Sequence, residues 1–203
     1  METAFTTRLN VEISAPLARV LLINPPLNVI DLRMARELHQ TLTEIESRTD
    51  ISVIVFEGNA HAFSAGVDIK AHLPEQIHEM LTSFHAVIRA MVTSRKVTIA
   101  AIRGVCLGGG AELASVCDMV YTARDATWGF PEIKLGCFPP VAAVALPALV
   151  GHKRALYAWD AIHFDKGLAR AEKIYLEELV STADAREGII AFLEKREPKW
   201  TGK

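Results

Sequence analysis

Residues 97–112 read VTIAAIRGVCLGGGAE, in which a continuous apolar run passes directly into a glycine-rich turn. The apolar run at 97–102 is typical of a strand that is buried on both faces of a parallel sheet. The turn leads into a short helix that we predict from Gly109 to about residue 116. A buried strand, a turn and a helix in this order favour an α/β fold with largely parallel strand pairing.

The same alternation extends outward from this segment in both directions. The predicted elements are a hairpin of 8–14 and 18–23, a helix capped by Asp31, a buried strand at 51–56, a helix over about 75–92, a strand at 119–123 and a last helix over about 185–195. Apolar residues recur at the helical period from Met34 to Ile45 and from Ile77 to Met91, which predicts a buried stripe on each of these two helices. Ser181 with Asp184 resembles a capping box for the last helix. No strand is predicted after residue 140, so we expect an α/β core over 1–150 and a helical C-terminal segment over 151–203.

Composition excludes several classes of protein. The 203 residues contain 22 Lys and Arg against 24 Asp and Glu, and 50% are hydrophobic. A net charge of −2 gives no basic footprint for nucleic acid or an anionic membrane. The uncharged stretch 135–151 is interrupted by prolines and predicts no membrane helix. Because the first 20 residues do not read as a secretory signal, we expect a cytoplasmic protein.

Cysteine and histidine spacing gives no metal or disulfide signal. Cys106, Cys117 and Cys137 have neither CxxC nor Cys-His spacing, so we expect three small core residues. His78 and His85 share one helix face, but two helical turns separate them by about 10 Å, too far to bind one ion. We therefore predict no metal site.

Three glycine-rich loops, at 58–68, 104–112 and 128–136, are the candidates for a functional site. Glycines at 108–110 leave main-chain N–H groups at a helix start accessible to an anion. No nucleotide-binding motif is present, and Glu112 would repel a phosphate, which favours an oxyanion formed during a reaction. Alternatively, these glycines only permit close packing of strand against helix, and Glu112 only complements the helix dipole.

Glu132 is a second candidate, because it follows Pro131 in a largely apolar stretch. Partial desolvation there would raise the pKa of its carboxyl group and suit it to proton transfer near neutral pH. The alternative is that Glu112 and Glu132, 20 positions apart, are both ordinary surface charges.

Three segments taken together resemble the crotonase superfamily, the enoyl-CoA hydratase/isomerase family. They are Ala62-Phe-Ser-Ala-Gly-Val-Asp-Ile-Lys70, Gly104-Val-Cys-Leu-Gly-Gly-Gly-Ala-Glu-Leu113 with Cys117-Asp118, and Gly129-Phe-Pro-Glu-Ile-Lys-Leu-Gly136. The resemblance runs to about Ala155, and residues 187–198 resemble the family's C-terminal helix. It implies a spiral of ββα units with a helical C-terminal segment. It also implies an acyl-CoA substrate, no cofactor beyond the coenzyme A of that substrate, and a homotrimer or homohexamer.

The resemblance also implies roles for individual residues. Glu112 and Glu132 match the paired glutamates of the hydratases, and we expect Glu112 to act on the attacking water and Glu132 on the α-carbon. The N–H groups of Val67 and Gly109 would form the oxyanion hole. The residues expected to contact the acyl group or coenzyme A are Phe63, Ala65, Gly66, Asp68, Ile69, Gly108, Pro131, Phe138 and Pro139. Asp68 and Lys70 are expected to be structural, not catalytic.

Two departures from the family pattern matter. Cys137-Phe-Pro-Pro-Val-Ala-Ala143 replaces a glycine-rich continuation and resembles the cyclohexa-1,5-diene-1-carbonyl-CoA hydratase branch. The prolines would stiffen an apolar wall suited to a flat ring, or they reflect neutral drift in loop packing. In addition, several dozen family residues are missing near Asp160, either through disorder or through truncation.

The predicted function is a lyase that hydrates an α,β-unsaturated acyl-CoA, or dehydrates the product, in fatty acid or aromatic acid degradation. Two alternatives stay open. One is an enoyl-CoA double-bond isomerase that uses Glu132 alone. The other is a catalytically weak relative that binds acyl-CoA or RNA, although no basic stripe supports RNA binding and the intact glutamate pair argues against an inactive protein.

Overall fold

A computed structural model describes residues 7–149 and 164–202. The strands are β1 Leu9–Ser14, β2 Leu17–Leu22, β3 Val53–Glu57, β4 Ala62–Ser64, β5 Val97–Ile102, β6 Val105–Leu107, β7 Met119–Thr122 and β8 Thr127–Gly129. The α-helices are α1 Leu32–Ser47, α2 Ile77–Val92, α3 Gly109–Ser115, α4 Pro140–Leu149, α5 Phe164–Lys173 and α6 Ala183–Leu193. Short 3₁₀ helices cover Ile69–His72 and Pro131–Leu135, and a π-helical segment covers Ile174–Leu179.

The strands form two sheets. The larger sheet has the order β1-β2-β3-β5-β7 and the smaller has the order β4-β6-β8. Strands β1 and β2 form the predicted antiparallel hairpin, and every other pairing of the described strands in both sheets is parallel. The expected α/β class with largely parallel pairing is therefore confirmed.

Successive units of the chain add one strand to each sheet. In the units β3-β4-α2 and β5-β6-α3, the first strand joins the larger sheet, the second joins the smaller sheet and a helix follows. Strands β7 and β8 repeat the same step. This repeated pattern is the spiral of ββα units that the sequence resemblance implies.

The helices pack as their periodicity predicts, and the sheet differs in one respect. Asp31 caps α1 by accepting a hydrogen bond from Met34 N at 2.8 Å, and the predicted apolar stripe of α1 is buried.

Residues of β3 and β5, in contrast, alternate between buried and less buried positions. The prediction that both faces of these strands are buried is wrong for this chain, because the residues between the buried ones stay partly exposed.

The last helix packs against the third glycine-rich loop. Helix α6 begins two residues earlier than predicted, and its cap is Thr182, whose side chain accepts a hydrogen bond from Ala185 N at 3.1 Å. The predicted capping by Ser181 is therefore wrong. A Cβ built on Gly188 of α6 would lie 2.4 Å from the carbonyl oxygen of Leu135, so the helix backbone contacts the Pro131–Leu135 helix directly.

Two further expectations concern the C-terminal part and the membrane. The predicted gap near Asp160 falls at positions outside the described residues, and the boundary at 150 stays a prediction. Among the described helices, none combines the length and the apolar character needed to cross a membrane.

Candidate active site

The small parallel sheet brings the three predicted loops together. Strand β4 leads to Gly66 and Val67, β6 leads to Gly108 and Gly109, and β8 leads to the helix that carries Glu132. Because the three strands are parallel, their carboxyl ends meet at the same edge of the sheet. The loops that the sequence separates by about 40 and 20 positions thus form one site.

Glycines allow the first two loops to touch. A Cβ built on Gly66 would lie 3.3 Å from Gly109 N, and a Cβ built on Gly109 would lie 2.5 Å from Val67 Cγ2 and 3.3 Å from Val67 N. Within the described part of the chain, neither Val67 N nor Gly109 N donates a hydrogen bond. The two N–H groups therefore lie close together, and both are free to donate a hydrogen bond to a ligand. The alternative reading of these glycines, close packing, is also correct, since a Cβ on Gly110 would lie 2.6 Å from Ser64 O.

Glu112 is a buried carboxylate held by the start of another helix. Its side chain is 4% exposed, and Oε1 accepts hydrogen bonds from Val141 N at 2.8 Å and Ala142 N at 3.0 Å. Burial raises the pKa of Glu112 to about 8, the negative charge of Glu132 adds to the rise, and the two N–H donors oppose it. Glu112 is thus not a surface charge.

Glu132 lies across from the glycines. Its Oε1 would be 3.0 Å from a Cβ on Gly108, and its Oε2 is buried without a hydrogen-bond partner among the described residues. Burial raises the pKa of this carboxyl group as well, as its apolar sequence context predicts. The negative charge of Glu132 raises the pKa of Glu112, so the two carboxylates are close enough to act on the same small ligand.

Both glutamates line a cavity of about 70 Å³. Eleven residues predicted for the site line it, namely Ala65, Gly66, Val67, Ile69, Gly108, Gly109, Glu112, Pro131, Glu132, Phe138 and Pro139. A wider depression of about 630 Å³ lies elsewhere, lined by Arg19, Glu57 and Tyr121 among others. None of the predicted site residues borders that depression, so we assign the site to the smaller cavity, where the carboxylates converge.

Two predicted residues do not line the cavity. The side chain of Phe63 is fully buried in the core. Asp68 Oδ1 accepts a hydrogen bond from Lys70 N at 3.0 Å and caps the Ile69–His72 helix. That geometry agrees with the structural role expected for Asp68. Contacts of Phe63 and Asp68 with coenzyme A stay predictions.

Sequence reasoning missed several residues of the cavity wall. These are His72, Met80, Leu81, Phe84, His85, Leu135 and Tyr175. The apolar stripe of α2 was predicted to be part of the core. His85 within that stripe could have indicated a site, because a histidine on a buried helix face needs a hydrogen-bond partner. Tyr175 follows the undescribed stretch and gave no local signal.

Metal binding and disulfides are the remaining expectations for this region. Among the described residues, no group of three or more histidine, cysteine or acidic side chains is arranged to hold a metal ion. The three cysteines are free and buried, which confirms their prediction as core residues.

Comparison with known proteins identifies the family. Residues 12–162 match the family model described as enoyl-CoA hydratase/isomerase. The cyclohexa-1,5-dienecarbonyl-CoA hydratase of Thauera aromatica is 30% identical over 247 aligned positions, covering 95% of this chain and 96% of that protein. Since 247 positions exceed the 203 residues of this chain, that relative has residues with no counterpart here.

Two further comparisons agree with this result. A probable enoyl-CoA hydratase of Bacillus subtilis is 30% identical over 250 positions, covering 89% of this chain and 93% of that protein. The crystal structure of an enoyl-CoA hydratase from Mycobacterium avium subsp. paratuberculosis superposes with a TM-score of 0.78 at 18% identity, covering 96% of this chain and 98% of the other. The predicted crotonase-type fold and the predicted hydratase-type enzyme are thereby confirmed. On these grounds the chain belongs to the enoyl-CoA hydratase/isomerase family.

Proposed function

We propose that this protein adds water to an α,β-unsaturated acyl-CoA thioester, or removes water in the reverse direction. The observation that carries the proposal is the convergence of Glu112 and Glu132 on one cavity beside the N–H groups of Val67 and Gly109. A buried carboxylate, a second one that is partly buried, and two free main-chain donors are groups suited to the hydration of an activated double bond. Coenzyme A is part of the substrate, and the proposed reaction needs no other cofactor.

In the proposed mechanism, the thioester oxygen accepts hydrogen bonds from Val67 N–H and Gly109 N–H. Attack at the β-carbon moves negative charge onto this oxygen, so the donors stabilise the enolate more than the substrate. Loss of one such donor typically costs about 2.7–4 kcal/mol in activation free energy. The closeness of the two donors, set by Gly66 and Gly109, supports this role.

The two glutamates divide the proton transfers. Glu112 takes a proton from the water as its oxygen bonds to the β-carbon, and Glu132 gives a proton to the α-carbon. The N–H groups of Val141 and Ala142 stabilise the ionised form of Glu112, while buried Glu132 Oε2 has no donor among the described residues. The two donors help Glu112 to carry the negative charge that a base needs, against the burial that raises its pKa to about 8, and the lack of a donor favours the protonated form of Glu132. The proton returns from Glu112 to Glu132 through water before the next turnover.

The acyl group we propose is a cyclic dienoyl group. Phe138, Pro139 and Pro140 line the cavity next to the glutamates, and they form a rigid, apolar wall. A rigid wall suits a flat ring better than a flexible chain. The name of the Thauera aromatica relative, a cyclohexa-1,5-dienecarbonyl-CoA hydratase, supports the same substrate class.

The test compares crotonyl-CoA with cyclohexa-1,5-diene-1-carbonyl-CoA in parallel assays. Hydration removes a conjugated double bond, so ultraviolet absorbance falls and the product gains the mass of one water. An isomerase would change the absorbance without changing the mass, and a weak binder would change neither. Either of those results contradicts the proposed hydration. A clear preference for crotonyl-CoA would contradict the cyclic substrate alone.

Assembly and location are separate proposals. We propose a homotrimer or a dimer of trimers, as the family resemblance implies, and a cytoplasmic location. Sedimentation analysis of the purified chain tests the assembly.

A further inference from the structure

His85 is a fully buried histidine that the proposed mechanism does not use. It lies on α2, its side chain is 0% exposed, and its ring lines the same cavity as Glu112 and Gly109. Its Nδ1 lies 2.6 Å from Glu172 Oε1 on α5. Glu172 in turn accepts hydrogen bonds from Arg89 Nη2 at 2.9 Å to each carboxylate oxygen. The ring is therefore held in a fixed orientation.

This arrangement fixes which ring nitrogen carries the proton. The Glu172 carboxylate, ionised beside Arg89, can only accept, so Nδ1 of His85 must be the donor. With that proton on Nδ1, the other ring nitrogen, Nε2, is the hydrogen-bond acceptor of the ring.

In the part of the chain that the structure describes, the acceptor Nε2 has no hydrogen-bond partner. It is buried, and within the described ranges no group donates a hydrogen bond to it. Buried polar atoms in folded proteins are nearly always hydrogen-bonded, and an unpaired one costs free energy. Because the ring borders the cavity, a ligand in the cavity is the available source of the missing donor.

We propose that His85 is a substrate-binding residue whose Nε2 accepts a hydrogen bond from a hydroxyl group on the acyl part of the ligand. The site would then favour hydroxylated acyl-CoA thioesters over their unsubstituted counterparts. A hydroxyl group is the donor that addition of water creates on an acyl group, and an all-carbon acyl group would leave Nε2 unpaired. This inference rests on the proposed function in one respect, namely that the cavity takes the acyl group of a coenzyme A thioester.

The test measures binding of benzoyl-CoA and of 2-, 3- and 4-hydroxybenzoyl-CoA by titration calorimetry on the full chain. These aromatic thioesters resist the addition of water, so binding is read without turnover. We expect at least one hydroxylated isomer to bind about tenfold more tightly than benzoyl-CoA, as one hydrogen bond to a buried acceptor implies. The ¹⁵N shift of His85 Nε2 should move with that isomer and not with benzoyl-CoA.

Variants identify the residue responsible for the preference. His85→Phe and His85→Met should each bind the preferred hydroxylated isomer and benzoyl-CoA about equally tightly. His85→Gln should retain part of the preference for the hydroxylated isomer. His78→Phe is the matched control, since His78 is exposed on the same helix, and it should keep the full ratio. Two apolar variants are used so that a failure of one to fold leaves the other.

Three outcomes would overturn the proposal: equal binding of all four thioesters, no binding of any, or a preference that survives in a folded apolar variant. Failure of the hydratase proposal gives a different pattern. In that case enoyl-CoA gains no water, while the preference for a hydroxylated ligand still depends on His85.

Discussion

Glu112 Oε1 lies 2.8 Å from the main-chain nitrogen of Val141, so a side chain of helix α3 caps the first turn of helix α4. The contact places a negative charge at the positive end of the α4 dipole. It also orients the carboxylate toward the cavity that Glu132 shares. One residue thus links the assembly of two helices to the proposed chemistry.

Replacing either glutamate by glutamine should abolish most of the activity. We expect Glu112→Gln and Glu132→Gln each to lower the rate of enoyl-CoA hydration by about a hundredfold or more, because each removes one proton-transfer group. In Glu112→Gln the amide oxygen can still accept from Val141 N, so the fold should persist. Glu75→Gln, an exposed position, is the control for the assay. Full activity in either variant removes that residue from the mechanism.

Protein stability should depend on pH through Glu112. The pKa of about 8 in the folded protein lies above the ordinary value of 4.5, so between these values the unfolded chain releases a proton that the folded protein keeps. The free energy of unfolding of the wild type, relative to Glu112→Gln, should therefore fall as pH rises from about 4.5 to about 8 and then level off. Urea denaturation of both proteins across this range measures it. A constant difference would contradict the raised pKa.

The rate of hydration should depend on pH through both glutamates. The proposed mechanism needs Glu112 ionised and Glu132 protonated, so the wild-type rate should pass through a maximum and fall again at high pH. In Glu132→Gln, of the two groups only Glu112 titrates, so the residual rate of this variant should increase up to about pH 8. Initial rates of both proteins at saturating substrate check this. A residual rate of Glu132→Gln that falls steadily between about pH 6 and 8 would assign the basic role elsewhere.

Gly188→Ala should destabilise the protein, although alanine usually stabilises a helix interior by about 1 kcal/mol relative to glycine. The new Cβ would lie 2.4 Å from Leu135 O, a main-chain atom, so α6 or the Glu132 helix must move. We expect a loss of about 1–3 kcal/mol in the free energy of unfolding. In Gly129→Ala the Cβ meets only Leu107 Cδ2 at 3.3 Å, and a much smaller loss should be found. Equal losses in both would show that the α6 contact is unimportant.

Asn28→Ala should lower the stability of the folded protein more than most substitutions of a polar residue. Asn28 is 1% exposed and has a φ of 50°, a left-handed conformation that disfavours alanine. Its Nδ2 donates to Ala62 O at 2.9 Å and its Oδ1 accepts from Asn24 N at 3.1 Å, which joins this turn to β4. We expect a loss of about 2–3 kcal/mol on thermal or urea unfolding. Asn10→Ala, at an exposed position, should change stability by less than about 0.5 kcal/mol.

The long elements could be predicted from the sequence because each carries its own local pattern. The stripe from Met34 to Ile45 identified α1, and apolar runs identified β3 and β5. Strands β4, β6 and β8 were missed, since three residues are too few to show an alternating pattern. The cap of α6 was misplaced by one residue, because Ser181 and Thr182 are both good caps and local sequence does not separate them.

For the candidate site too, some features could be predicted from the sequence and others depended on the tertiary structure. The sequence alone determined which loops carry free main-chain donors and unusual carboxylates, because glycine content and apolar context are local properties. Only the tertiary structure decided that Gly109, Glu112 and Glu132 face one cavity, since their convergence depends on the parallel pairing of β4, β6 and β8. The contact of His85 with Glu172 joins residues 87 positions apart. Such contacts arise from packing between distant elements, and no local pattern encodes them.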